Sequence, residues 1–398
     1  MKILFITSRL PYPPYRGDKL KIFNLIKQLS SAHKITLLSF IASQKELEQI
    51  TFLQPYCDQI YTIHLPKWRS LFNCLKHIFS RTPFQVAWYE SSQMHRTARN
   101  LIENHGFEII HVHLIRMAQY AMKGGLAPRL LDLTDAGSLY LRRFLETTGN
   151  VAYKVLIKQE LGRISRYEQT LEQFDCCLVC SSVDRDVLLQ RAPSAKIELL
   201  FNGIDLDYFS MNGAQRQTDY RVICTGNMSY FPNADGVRYF VKEIFPAIKS
   251  EIPEAKFFVV GQDPPRKMLK LSNEDIIVTG FVQDIKEYYF QSTVAVAPIR
   301  FGAGTLNKIL EPMALGIPVV ATPVGVEGLP VQHGCHLLVA RDSKEFSRSV
   351  IRLLRDKKLR ENLASNAQQL VRSLYGWKVI AQQLEAFYRN LLSTCKPQ

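Results

Sequence analysis

The residue pattern best suited to ligand binding and catalysis lies at residues 298–322, PIRFGAGTLNKILEPMALGIPVVAT. A strand is predicted to end at Pro298, and a glycine-containing loop then leads into a helix that begins near Thr305. The unpaired backbone N–H groups of a helix start, next to glycines that let a ligand approach the backbone, favour binding of a phosphate or diphosphate. The pattern therefore predicts an anion site to which Gly304, Thr305 and Leu306 contribute.

Two charged side chains follow this loop on the predicted helix. Lys308 and Glu311 are three residues apart and share one face, whereas Ile309 and Leu310 belong to an apolar face. Lys308 could contact a phosphate, as could Arg300 in the preceding loop, and Glu311 could accept hydrogen bonds from two ribose hydroxyls. The alternative is an ordinary Lys–Glu salt bridge on a helix surface. We favour the nucleotide site, because the loop, the lysine and the glutamate coincide at a strand end.

Polar residues also stand at two strand ends in the first half of the chain. His113 ends one predicted strand, and Asp132 and Asp135 stand at the end of the next. Ligands bind at the carboxyl ends of parallel strands, so His113 or Asp135 is expected to orient an acceptor or to take its proton. His113 could equally be a packing residue.

The elements that position these residues are short apolar runs alternating with helical patterns, which is typical of parallel sheets covered by helices on both faces. With 398 residues, the chain suits two domains. We therefore predict an α/β fold of two Rossmann-like, doubly wound parallel-sheet domains that face a cleft. The predicted domains are residues 1–206 and residues 207–376, which contain the nucleotide site, with a C-terminal helix from residues 377–398 returning to the first domain. The predicted strands are residues 3–7, 35–40, 59–63, 109–113, 130–133, 176–180 and 197–201, and then 222–224, 257–260, 276–278, 294–297, 319–321 and 336–339.

The charge balance restricts the partners. A formal net charge of +14 fits an anionic substrate or an anionic membrane surface, and the chain has no recognisable nucleic-acid-binding motif. The apolar run before Ser8 is too short for a signal peptide, and no stretch approaches the ~18 apolar residues of a membrane span. We therefore expect a cytoplasmic protein, peripheral to the inner face of the cell membrane. The cysteines of the apolar run FDCCLVC are expected to be buried, with no metal and no cofactor bound.

The segment most suited to a membrane surface is residues 65–81, LPKWRSLFNCLKHIFSR. Its apolar residues recur at helical spacing, and its basic residues fall mostly on the other side. A basic amphipathic helix with Trp and Phe can lie in a bilayer interface, but the same pattern also suits an ordinary core-facing helix. The apolar residues in question are Trp68, Leu71, Phe72, Leu75, Ile78 and Phe79.

Two segments resemble signatures of a known family. GTLNKILEPMALGIPVVATPVGVEGL, at residues 304–329, resembles the donor-binding signature of glycosyltransferase family 4, and NGIDLDYF, at residues 202–209, resembles its hinge. The resemblance implies a GT-B fold and a retaining, usually metal-independent transfer. It also implies that Glu311, the second glutamate of the family's Glu-x7-Glu motif, binds the donor ribose. The first glutamate of that motif falls on Ala303.

A closer resemblance is to the sugar transferases that accompany bacterial exosortase (PEP-CTERM) systems. It is carried by residues 8–21, SRLPYPPYRGDKLK, residues 131–138, LDLTDAGS, and residues 226–237, GNMSYFPNADGV, and these transferases also lack the first glutamate. The resemblance implies that the first loop, with Gly17, lies near the donor phosphate and the acceptor, although Gly17 could also be just a turn residue. Asn227 is likewise assigned to the donor. The resemblance makes Asp135 the preferred catalytic candidate, because related enzymes place a cleft His or Asp after this strand.

Together these features predict a retaining glycosyltransferase. It would move a sugar from a nucleotide diphosphate donor to a glycan or polyprenyl-linked acceptor, in the synthesis of a bacterial exopolysaccharide or cell-surface glycan. Two alternatives remain open from the sequence. One is a sugar-nucleotide-binding protein without catalytic activity, and the other is a different GT-B enzyme such as a sugar-nucleotide epimerase.

Overall fold

The computed structural model describes residues 1–122, 127–147, 151–210, 220–302 and 307–394. The chain divides into two compact units. The first comprises Met1–Phe201 together with the C-terminal segment that begins at Trp377, and the second comprises Asn202–Gly376. Residues 202–206, which the sequence assigns to the first domain, therefore belong to the second unit.

The first unit is built on a seven-stranded parallel sheet with strand order β3-β2-β1-β4-β5-β6-β7. Its central strands are buried over most of their length, which explains why they appear in the sequence as continuous apolar runs. The strands are β1 Lys2–Thr7, β2 Lys34–Ile41, β3 Gln59–His64, β4 Ile109–His113, β5 Arg129–Thr134, β6 Cys176–Val179 and β7 Ile197–Leu199.

The second unit repeats this plan with a six-stranded parallel sheet of order β10-β9-β8-β11-β12-β13. The two sheets confirm the predicted α/β fold class. In each sheet the direction of winding reverses once, between β1 and β4 and between β8 and β11, and the carboxyl ends of the strands beside such a reversal form a natural ligand site. The strands are β8 Arg221–Thr225, β9 Lys256–Val260, β10 Ile276–Gly280, β11 Val294–Ala297, β12 Val319–Ala321 and β13 Leu338–Val339.

Helices connect the strands and cover both sheets. Those of the first unit are α1 Gly17–Leu29, α2 Lys67–Lys76, α3 Phe84–Ala87, α4 Ser92–Asn104, α5 Gly137–Thr147, α6 Val151–Tyr167, α7 Ser182–Leu189 and α15 Trp377–Thr394. Those of the second unit are α8 Phe231–Tyr239, α9 Phe245–Glu251, α10 Arg266–Leu269, α11 Ile285–Phe290, α12 Asn307–Ala314, α13 Ser343–Arg355 and α14 Lys357–Leu374, and a π-helical turn, Phe240–Ile244, joins α8 to α9.

Helix α2 differs from the amphipathic segment predicted over residues 65–81. It ends at Lys76, so Ile78 and Phe79 lie in the turn that follows the helix. Among the described residues, no helix combines the length and the apolar composition needed to cross a bilayer.

The C-terminal helix α15 packs in the first unit, beside α1. Its side chains Leu384 and Tyr388 are fully buried and join the core formed on one face of the seven-stranded sheet. The Tyr388 hydroxyl lies 2.6 Å from Nδ1 of the buried His111 on β4. This hydrogen bond ties the last helix to the centre of the sheet.

We expect Tyr388→Phe to lower the free energy of unfolding of the first unit by about 1–2 kcal/mol, because it leaves Nδ1 of His111 buried without its partner. Chemical denaturation monitored by circular dichroism measures the change. Gln382→Ala, on the exposed side of the same helix, is the control and should have little effect. Equal losses in the two variants would contradict this account of the hydrogen bond.

Candidate active site

The predicted nucleotide site lies in the second unit, at the reversal between β8 and β11. Helix α12 follows β11 and carries both Lys308 and Glu311. Gly304, Thr305 and Leu306, predicted to bind phosphate through their backbone, lie outside the described residues, so those contacts remain a prediction.

Lys308 is a buried cation held by Asn233, on the helix α8 that follows β8. Its Nζ donates a hydrogen bond to Oδ1 of Asn233, and Nδ2 of Asn233 donates to the Asn227 carbonyl at 2.7 Å. Gly226 has a φ of +142°, and a Cβ at this position would lie only 2.7 Å from Asn233 Nδ2. A glycine is therefore required for the loop to close around the lysine. Burial lowers the pKa of the Lys308 ammonium.

Glu311 is held by a buried tyrosine from α11. The Tyr289 hydroxyl donates to Oε2 of Glu311 at 3.0 Å, and it lies 2.7 Å from Oγ1 of Thr225 at the end of β8. Burial raises the pKa of Glu311 to about 7, against the lowering effects of Tyr289 and Lys308. Since Lys308 is paired with Asn233 and Glu311 with Tyr289, the pair is not the surface salt bridge that the sequence left as an alternative.

Arg300 and Asn227 already have protein partners. Nε and Nη2 of Arg300 donate to the two carboxylate oxygens of Asp235 at 2.8 and 2.6 Å. The side-chain oxygen of Asn227 accepts from the backbone N–H and the hydroxyl of Ser229 at 2.9 and 2.6 Å. Both side chains therefore brace the loops around the site, and their predicted contact with a donor stays a prediction.

In the first unit, the strand-end candidate His113 lies beside the buried carboxylate of Asp132. Asp132 accepts a hydrogen bond from Nζ of Lys21 at 2.8 Å, and its other oxygen lies 3.5 Å from Nδ1 of His113. Burial acts to raise the pKa of Asp132, but Lys21, with His111 and His113, holds it well below its usual range. The ionised carboxylate therefore orients the His113 ring.

His113 has a ring nitrogen available for a ligand. Its Nε2 is buried and makes no hydrogen bond, and the side chain lines a small recess with Arg9, Asp18 and Lys19. Leu114, the next residue, has a φ of 72°, which is uncommon for a leucine. Such backbone strain beside a buried, partly unsatisfied histidine is typical of a functional site.

Asp135 has the titration behaviour that proton transfer near neutral pH requires. Burial raises its pKa to about 7, and the nearby Asp184 carboxylate adds to the shift. Asp184 also accepts a hydrogen bond from the Ala136 N–H at 2.9 Å, so it fixes the loop after β5. Thr134, immediately before Asp135, has a φ of 72°. The strained end of β5, at Thr134, is therefore directly followed by Asp135, whose carboxyl has a raised pKa.

Gly17 is not a turn residue but the first residue of α1. No atom lies within 4 Å of the position that its Cβ would occupy, so the local fold does not require a glycine there. Open space at a helix start is compatible with the predicted approach of a ligand. The neighbouring Asp18 lies 3.3 Å from Arg9 and 3.5 Å from Arg116.

Three comparisons with known proteins bear on this geometry. A family model described as "Glycosyl transferases group 1" matches residues 219–356, which include Lys308, Glu311 and every partner named for them above. The chain is a glycosyltransferase. A Klebsiella pneumoniae protein described as an uncharacterized 44.6 kDa protein in the cps region is 20% identical over 393 residues, covering 95% of this chain and 97% of that protein.

The solved structures similar to this glycosyltransferase share its two-unit fold. Sucrose-phosphate synthase from Thermosynechococcus elongatus has a TM-score of 0.71 at 18% identity, covering 99% of this chain and 100% of that one. HepE from Anabaena, in complex with UDP, has a TM-score of 0.68 at 16% identity, covering 98% and 100%. HepE has also been solved with UDP-glucose. These likenesses establish the GT-B fold.

Several residues that shape the two candidate sites were missed from the sequence. Tyr289 and Thr225 support Glu311, Asn233 holds Lys308, and Asp184 acts on Asp135. Only Asn233 carried a signal, since it lies in the GNMSYFPNADGV segment. Within the described ranges, no group of three or more His, Cys, Asp or Glu side chains is arranged to hold a metal ion.

The raised pKa of Asp135 gives the stability of the enzyme a predictable dependence on pH. The folded state keeps the carboxyl protonated up to about pH 7, whereas an unfolded Asp ionises near pH 4, so stability is lost as the pH rises through this window. Asp135→Asn replaces the carboxyl with an amide that cannot ionise, so the variant does not lose this stability as the pH rises. We therefore expect its melting temperature to exceed that of the wild type at about pH 8 and to approach it near pH 4.

Differential scanning calorimetry across this pH range checks the prediction. Asp186→Asn, on the exposed side of α7, is the matched control and should follow the wild-type profile. If Asp135→Asn and the wild type lose stability in parallel as the pH rises, the raised pKa of Asp135 is refuted.

Proposed function

We propose that this glycosyltransferase transfers a sugar, with retention of anomeric configuration, from a nucleotide diphosphate sugar to a glycan or lipid-linked acceptor. The process served would be the synthesis of a bacterial exopolysaccharide or cell-surface glycan. The observation that carries the proposal is the Lys308 and Glu311 pair, held by separate buried partners at the reversal point of the second sheet.

The donor would bind through complementary charges. In its ionised form Glu311 accepts hydrogen bonds from the two ribose hydroxyls, and Tyr289 fixes the carboxylate in place. Lys308 lies three residues earlier on the same helix and would meet the diphosphate. The UDP and UDP-glucose complexes of HepE, which shares the fold, support a nucleotide sugar as the donor.

Transfer would depend on stabilising the diphosphate as the bond to the sugar breaks. Lys308 and the backbone N–H groups at the start of α12 would oppose the growing negative charge, and the departing phosphate would assist attack on the same face. We nominate no protein nucleophile and no metal ion. On the acceptor side, Asp135 has a pKa near neutrality and His113 has an unpaired Nε2, so either could orient the attacking hydroxyl.

The polysaccharide context is supported by two likenesses. One is the resemblance to transferases that accompany exosortase systems, carried by residues 8–21, 131–138 and 226–237. The other is the Klebsiella pneumoniae relative described as lying in the cps region. Both favour a glycan or lipid-linked acceptor over a small metabolite.

The raised pKa of Glu311 predicts that donor binding depends on pH. Because only the ionised carboxylate accepts from both ribose hydroxyls, affinity for UDP-glucose should rise as the pH increases through about 7. Glu311→Gln should abolish this dependence and weaken binding at about pH 8 by roughly tenfold. Isothermal titration calorimetry measures both effects, and GDP- and ADP-sugars are tested in parallel.

Two further variants make this experiment specific. Tyr289→Phe keeps the carboxylate but removes the hydroxyl that orients it and lowers its pKa, so it should weaken binding and displace the pH dependence to higher pH without abolishing it. Glu361→Gln, at an exposed position on α14, should behave like the wild type. An unchanged pH profile in Glu311→Gln would remove Glu311 from the donor site.

The reaction itself is tested by product analysis. Incubation with the preferred donor and a panel of glycan and polyprenyl-phosphate acceptors should yield a product whose anomeric configuration, read by NMR, equals that of the donor. Glu311→Ala should lower the rate by at least about tenfold, and a chelator should not. Inverted product would exclude the retaining mechanism, and donor binding without turnover across the panel would favour a non-catalytic binder.

A further inference from the structure

A cluster of exposed apolar side chains lies on and after α2. The sequence left open whether this segment packs into the core, and the structure shows that it does not. Trp68 is 71% exposed, Phe72 is 62% exposed, and Phe79, in the turn after the helix, is fully exposed. Leu71 and Leu75 are also more than half exposed. Large apolar side chains clustered in this way mark an interaction surface.

A second helix extends the same surface. Near its start α6 exposes Tyr153, Val155 and Leu156, each by more than half. The middle of α6 contacts the turn after α2, since Nη2 of Arg163 donates to the Ile78 carbonyl. Val155 lies one helical turn before Gln159, which helps to line a recess between that turn and α6. The apolar start of α6 therefore continues the surface begun by α2.

The charges around these apolar groups are almost all positive. Residues 65–81 and 151–166 together contain eight Lys or Arg residues and one acidic residue, Glu160. Glu160 accepts from the Phe84 N–H and lies 3.6 Å from Arg163, so it is engaged internally. Glu90, from outside these segments, lies near Lys76. The recess has a volume of about 470 Å³, and its lining includes Phe79, Arg81, Lys158 and Arg166.

We propose that residues 67–81 and 153–166, here called the two-helix surface, dock the enzyme onto an anionic lipid bilayer. Trp and Phe side chains would enter the interface between head groups and acyl chains, while the basic side chains contact lipid phosphates. A protein partner with an acidic, apolar face would meet the same groups. The bilayer is favoured because Trp68 and Phe72, on one face of α2, and Phe79, in the turn after it, are all exposed in one short segment that also carries basic residues. The proposal goes beyond sugar transfer and is independent of it.

The test is vesicle binding by the purified full chain without donor or acceptor. We expect co-sedimentation with vesicles of equal parts phosphatidylglycerol and phosphatidylcholine, and far weaker binding to phosphatidylcholine alone. The double variant Phe72→Ser/Phe79→Ser should reduce binding to anionic vesicles by at least about tenfold. Replacing Lys158 with Gln should reduce it roughly fivefold, and added salt should weaken it further.

Matched controls distinguish docking through this surface from nonspecific adsorption of the protein to vesicles. Phe281→Ser removes a phenylalanine that is 61% exposed in the second unit, and Lys357→Gln removes a lysine that is 77% exposed on α14. Both controls should bind vesicles like the wild type. Circular dichroism and thermal melts establish that all variants fold.

Trp68 reports directly on the face that enters the lipid. Vesicles whose acyl chains carry bromine should quench part of the tryptophan emission in the wild type, and Trp68→Phe should still bind but lose most of that quenching. Equal loss of binding in test and control variants would overturn the proposal. Binding that does not depend on anionic lipid would also overturn it. A third contrary result would be a wild type that does not bind vesicles but forms dimers, which the Phe72→Ser/Phe79→Ser double variant dissociates.

Discussion

The architecture depends on one constraint, namely that parallel strands bring their carboxyl ends to the same edge of a sheet. Where the winding reverses, the connections on either side diverge and leave those ends uncovered. In the second unit this places Thr225, at the end of β8, beside the helix that follows β11. In the first unit it places His113, at the end of β4, beside the loop that follows β1. The fold thereby makes a potential site in each unit before any side chain is specified.

Buried charge then distinguishes these sites from ordinary sheet edges. Taking a lysine or a carboxylate out of water costs several kcal/mol unless a partner compensates. Lys21 and Asp132 compensate each other directly, so Asp132 remains ionised. Lys308 has the neutral amide oxygen of Asn233 as its partner, and Glu311 has a tyrosine hydroxyl. Neutral partners leave both groups undercompensated, which suits a site that awaits a charged ligand.

The sequence predicted the fold better than it predicted the sites. All thirteen strands of the described residues were located, most of them because buried strands leave apolar runs, and Lys308 and Glu311 were correctly placed on one helix. Tyr289 and Asp184 were missed because their partners lie far away in the sequence. Asp184, for example, meets Ala136 across 48 residues. Arg300 was placed with the donor phosphates on charge alone, and the spacing gave no sign that Asp235, 65 residues away, holds it. Pairings across strands depend on register and on loop paths, which local patterns do not encode.

The same limit explains why α2 was ambiguous. An amphipathic period shows which residues share a face, but a face that packs on a sheet and a face that meets lipid have the same period. The bounds of the helix resolve the ambiguity. Because α2 ends at Lys76, Ile78 lies in the turn that follows the helix. This turn contacts α6, where the Arg163 side chain donates a hydrogen bond to the Ile78 carbonyl. That contact anchors the end of the segment through its backbone and leaves the side chain of Phe79 in solvent. Core packing would have anchored the segment through its apolar side chains. Here the attachment comes from polar contacts, which include those of Asn73 and His77 with Glu90, and the aromatic groups stay available for a partner.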